Sequence, residues 1–175
     1  VGGEDPAVND YLTARYGAPC RGCGYAWSTP VDAAAAIVVG TPDRLEAMLA
    51  GRGGDERAPG LAWDVTSYVA HLADNNRIWA ERIAGAALGA RTPVQPYDEA
   101  ELATARGYGG FALSAALWSL RRSVLDWTAA WELQGEGEVS LSHPEQGPMA
   151  AGQVVVVLGH ESQHHIADVE TILAG

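Results

Sequence analysis

A chain of 175 residues fits one domain of roughly 100 to 200 residues and is long enough to bury a real core. With 47% hydrophobic and 19% charged residues, it is neither a disordered polar chain nor a membrane protein. Its eleven basic residues, every one an arginine, stand against twenty-two acidic ones; the net charge of −11 disfavours nucleic acid and anionic lipid as partners, and the lack of lysine excludes lysine Schiff-base chemistry.

Asp5-Pro6 followed by Val8, Tyr11, Leu12 and Tyr16 predicts a short opening helix, ended by the Gly17-Ala18-Pro19 breaker. Cys20-Arg-Gly-Cys23 comes next. Two cysteines are too few for a secreted disulfide framework and lean toward metal or redox use. Thr29-Pro30-Val31-Asp32 opens an alanine-rich helix to about Gly51, which Gly40-Thr41-Pro42 should kink or split. Asp64 can cap a helix running to about Leu88, with Val65, Tyr68, Leu72, Trp79 and Ile83 near helical spacing. Residues 89 to 109 carry Pro93, Pro96, Gly107 and Gly109 and predict a long connection, a crossover or a lid.

Leu113, Leu117, Leu120, Val124, Trp127 and Trp131 alternate steps of four and three, the seam of a bundle helix. A Gly-, Pro- and Ser-rich piece from Gln134 to Pro148 precedes a last helix from about Met149 to Leu173. Within it Val154 to Val157 would suit a buried strand, but the segment's length and the helical recurrence of His160, His164 and Asp168 favour helix. The fold class is therefore all-α, with four long helices. No apolar run approaches the roughly 20 residues of a membrane span, and Val1-Gly-Gly-Glu-Asp5 lacks the regions of a signal peptide, so cytoplasmic residence is expected.

Residues four apart on a helix differ by about 40° around its axis, so His160 and His164 project from one face, while His165 points about 100° away. A catalytic zinc-type site needs a third protein ligand and an open position. His71, on the flank of the second helix's apolar stripe beside Tyr68 and Asn75, is the donor a bundle would turn inward. A histidine pair alone is more often a surface or hydrogen-bonded core feature; the third histidine is what favours ligation. Asp74 and Asp168 can accept hydrogen bonds from ligand imidazoles. Tyr68, Asn75, Arg77, Trp79 and Trp118 are pocket-lining or core candidates.

Trp63-Asp-Val-Thr-Ser-Tyr-Val-Ala-His71-Leu-Ala-Asp74-Asn-Asn-Arg-Ile-Trp79 and Gly159-His160-Glu-Ser-Gln-His164-His165-Ile-Ala-Asp168-Val resemble the DinB-like metalloprotein superfamily. Cys20-Arg-Gly-Cys23-Gly-Tyr-Ala-Trp27 looks like the cysteine pair opening an actinobacterial-type branch, and His143-Pro-Glu-Gln-Gly147 extends the match before the last helix. The resemblance spans most of the chain. It implies a single domain over 1–175, in which 1–28 form an N-terminal cap and 29–175 a four-helix bundle with a long crossover connection, often a homodimer.

It also implies a divalent zinc, nickel or iron ion held by three histidines, carried over here as His71, His160 and His164. Members include thiol-dependent transferases and isomerases using mycothiol or bacillithiol. The expected function is thus a metal-dependent enzyme acting on a small molecule, in which the ion activates a thiol co-substrate or water. Two alternatives stay open: a cyclase or condensation enzyme of secondary metabolism using histidine acid and base chemistry, and a non-catalytic ligand-binding or stress protein. For Cys20 and Cys23, a second metal site, a redox dithiol and a structural knuckle are all open.

Overall fold

The computed structural model describes residues 10–90, 93–135, 139–144 and 147–175. The expected first turn from Asp5 lies outside them, and helix α1 is described over Asp10–Tyr16. Helix α2, Val31–Met48, follows Pro30. It runs through Pro42 as one element. Val38 and Leu45, on either side of the proline, are both fully buried, so core contacts hold the two halves in one helix.

Asp64 starts α3, Val65–Ala87, by accepting a 2.8 Å hydrogen bond from the Ser67 amide, as its sequence position predicts. The connection after α3 is more ordered than its prolines and glycines suggest. Asp98 caps a short α4, Glu99–Arg106, through the Glu101 amide, and Gly107 ends it in the left-handed conformation (φ 66°) that glycine adopts without strain. A single 3-10 turn, Tyr108–Gly110, leads to α5, Leu113–Gln134. On α5 Leu120, Val124 and Trp127 are buried and Leu113, Leu117 and Trp131 pack against the core, the predicted seam. Trp118 is 69% exposed and is not a core residue.

The Gly-, Pro- and Ser-rich piece before the last helix contributes two short antiparallel strands, β1, Ser140–His143, and β2, Gly147–Ala150, with Ser140 opposite Ala150 and His143 opposite Gly147, so Met149 belongs to the ribbon and not to the helix expected from there. The Val94 amide donates to Ser142 O, which fastens the crossover to this ribbon. Helix α6, Ala151–Ala174, absorbs all four valines. Gln153 Oε1 accepts from the Ala150 amide at its start.

Around the bundle α2 packs on α5 and α6, and α3 packs on α5 and α6. Consecutive helices α2 and α3 are therefore not the principal neighbours, and neither are α5 and α6; both connections cross the bundle end. Gly159 permits a close approach of α6 to α2. A Cβ there would stand 2.9 Å from Tyr25 Oη and 3.0 Å from Ala34 Cβ on α2. Among the described residues no helix is long and apolar enough to cross a membrane.

Candidate metal centre

His71 sits in the second turn of α3, 1% exposed, and faces α6. The residues it meets there are Glu161 and His165, an i, i+4 pair on one face. Glu161 Oε2 lies 3.7 Å from His71 Nε2 and 3.4 Å from His165 Nε2. One donor atom from each of the three lies within 4.8 Å of the others. The two imidazoles meet edge to face, centroids 4.8 Å apart at 89°.

Helical spacing pairs His160 with His164, and the bundle reading and the family resemblance add His71 to them. The structure instead distributes these residues over two donor sets. His160 and His164 project about 100° around α6 from the Glu161 and His165 face, and group with Cys20 and Cys23. The rotation of α6 about its own axis decides the partition, and tertiary packing sets that rotation. Glu161 escapes a reading confined to histidines, and His165 is set aside there because it lies off the His160 and His164 face; counting the carboxylate as a donor pairs Glu161 with His165 at the same i, i+4 spacing.

Asp168 Oδ2 lies 2.9 Å from Nδ1 of His165, not of the three histidines expected as ligands, and this leaves Nε2 of His165 turned toward Glu161. Asp74, expected in the same role, is engaged elsewhere. It accepts from the Tyr108 hydroxyl (2.7 Å) and from Arg106 Nε (2.8 Å), and so anchors α4 and the turn after it to α3. Tyr68 packs on His165, centroids 5.3 Å apart, and Trp63 lies 5.1 Å from His71, so aromatic rings wall the centre. Asn75 is buried on α3.

Charge is finely balanced here. Burial opposes ionisation of Glu161, yet contacts with His160, His165 and His71 hold its pKa well below the usual carboxylate value. Burial likewise opposes charge on His165, but the carboxylates of Asp168 and Glu161 outweigh it and raise the imidazole to about 9. Burial, aided by Glu99, Glu161 and Asp74 against the opposing pull of Arg82, pushes the Tyr97 phenol, in the crossover, up to about 12, so it stays a neutral donor. At the cysteine pair, burial works against the Cys20 thiolate, but His160 and the Cys23 and Gly22 amides lower it to about 6; burial lifts Cys23 to about 11.

Two histidines and a carboxylate from two helices suit a divalent ion with positions left for water or substrate. A local observation supports the fit: His71 Nε2 is buried with no hydrogen-bond partner, and it points at the other two donors.

The family model of the DinB superfamily matches residues 40–169 of the chain. Among curated proteins there is no match. Solved structures of similar fold include YfiT from Bacillus subtilis, described as a probable metal-dependent hydrolase with an unusual four-helix bundle topology. It is 19% identical, with a TM-score of 0.72 over 82% of this chain and 86% of that one.

Proposed function

The chain belongs to the DinB superfamily, and from that premise we propose that it is a metal-dependent enzyme of hydrolase type, acting on a small molecule at His71, Glu161 and His165. The observation that carries this reading is the convergence of three donors from α3 and α6 around a buried His71 nitrogen that makes no hydrogen bond. A zinc-, nickel- or iron-type ion held there would supply Lewis acidity and lower the pKa of water or thiol in its open position.

The protein's own part is orientation and exclusion. Asp168 fixes the tautomer and direction of His165, and Glu161 offers the negative charge that offsets a cation. Trp63 and Tyr68 keep one side apolar. Tyr97 offers a protonated phenol from the crossover, the side from which a substrate would approach.

The test is metal analysis of untagged protein together with hydrolysis of small esters and amides, each with and without a low-molecular-weight thiol. His71→Ala and Glu161→Ala should each lose about one equivalent of metal. Turnover should fall by more than about 100-fold, the upper range lost even when an outer partner is removed. Unchanged metal content and turnover in both variants would refute the reading. Turnover that requires the thiol would reassign the chemistry to thiol-dependent transfer or isomerisation at the same centre.

A further inference from the structure

The second donor set lies on the adjacent face of α6. One donor atom each from Cys20, Cys23, His160 and His164 falls within 4.8 Å of the other three, and Cys20 Sγ is 3.5 Å from His164 Nδ1. We propose that these four residues form a structural zinc site that pins the N-terminal cysteine turn to α6. It is separate from the centre at His71, and the case for it does not depend on the enzymatic reading.

Geometry is the first argument. Zinc bonds of about 2.3 Å to sulfur and 2.0 to 2.1 Å to nitrogen, arranged tetrahedrally, put a sulfur and a nitrogen about 3.5 Å apart, the separation found here. Four protein donors complete that sphere, which marks a structural site and not a catalytic one. Charge is the second. Two thiolates balance a divalent cation, so the filled site buries no net charge, whereas harder cations would prefer oxygen donors.

His160 supplies the third argument. It is 0% exposed, and neither ring nitrogen has a hydrogen-bond partner; Nδ1 stands 3.5 Å from Glu161 Oε1 without bonding to it. A fully buried imidazole whose two ring nitrogens make no hydrogen bond, with only a loose ion-pair contact to Glu161, has room for a closer partner. The rings of Tyr16 and Trp27 lie with centroids 4.6 Å from His160 and close the site to a substrate-sized molecule.

The cysteine turn is shaped for the same end. A Cβ on Gly22 would come within 2.6 Å of His164 Cε1, so glycine is what lets the turn lie against that imidazole. Gln163, between the two histidines, donates from Nε2 to the Cys23 carbonyl at 3.0 Å. The Cys20 amide donates to Tyr25 O and the Gly24 amide to Cys20 O. These bonds hold both cysteines in place before any ion arrives.

The experiment is a titration of the reduced, chelator-stripped, untagged chain with Co2+. A thiolate-to-cobalt charge-transfer absorption should grow in and saturate by about two equivalents in the wild type, which has both donor sets, and at about one in His71→Ala. It should persist in His71→Ala and vanish in Cys23→Ser. In zinc-loaded wild-type protein, alkylation of the thiols should slow by at least about tenfold relative to the stripped protein, because a bound thiolate is a poor nucleophile.

A wild-type cobalt complex without that absorption overturns the proposal, as does equal alkylation with and without zinc. A Cys20 to Cys23 disulfide in protein purified without oxidant also overturns it, in favour of a redox pair. All three measurements are made on the wild-type chain, so they decide the matter even where Cys23→Ser fails to fold. Survival of the absorption in His71→Ala keeps the fate of this site distinct from that of the proposed catalytic centre.

Discussion

Glu161 faces both donor sets at once: Oε2 toward His71 and His165, Oε1 toward His160. Together with Asp168 it keeps His165 protonated up to about pH 9 in the metal-free protein. Metal binding needs the neutral imidazole, so at neutral pH the ion must displace a proton. Affinity for zinc should therefore rise about tenfold per pH unit from pH 7 and level off above about 9. Competition titrations with a chelating dye across that range would check it; a flat profile would remove His165 from the ligand set. Replacing Asp168 by Asn takes away one of the two carboxylates. Asp168→Asn should weaken zinc binding about 10- to 100-fold and move the pH dependence to lower pH, as calorimetry at several pH values would show.

Among the elements, α4 and the turn after it are anchored to α3 through one side chain, Asp74. Asp74 on α3 receives the buried Tyr108 hydroxyl and Arg106, while Val94 pairs with the β1 strand at the other end of the crossover. Asp74→Ala would leave the Tyr108 hydroxyl buried without its acceptor. The expected loss is about 1 to 3 kcal/mol of stability, read from the urea midpoint. Limited proteolysis should then cut within 93–107 faster than in the wild type, because α4 and the turn after it lose their side-chain anchor on α3 while the start of the crossover keeps its ties to the strand and to Arg82. Zinc binding at Cys20, Cys23, His160 and His164 should be unaffected, since those donors come from α6 and the N-terminal turn.

For the molecule as a whole, the same histidine and carboxylate pairs shape stability against pH. His165 has a folded pKa raised above its unfolded value near 6.5, so its contribution is complete below about pH 6.5 and is lost as pH rises through about 9. Glu161 has a folded pKa depressed below the unfolded value near 4.3, so its contribution is present above about pH 4.3 and is lost as pH falls through the folded value. The metal-free chain should thus show its highest urea midpoint between about pH 4.3 and 6.5, with a decline on each side. Saturating zinc should abolish the alkaline decline, because an ion-bound His165 is already neutral. A zinc-independent pH profile would contradict the placement of these groups.

Periodicity made α2, α3, α5 and α6 legible, because each buries one face and the 3.6-residue repeat is written locally in Leu120, Val124 and Trp127 or in Val65, Leu72 and Ile83. The strands β1 and β2 and the eight residues of α4 were not legible. They are too short to carry a period, and they persist through distant partners such as Val94 and Asp74. Local spacing also identified His71, the i, i+4 histidines and the cysteine pair as the chain's donor-bearing groups. It could not say which face of α6 turns toward α3. That is a matter of helix rotation, settled where Gly159 admits Ala34 and Tyr25, and it places Glu161 and His165 with His71 and leaves His160 and His164 to the cysteines.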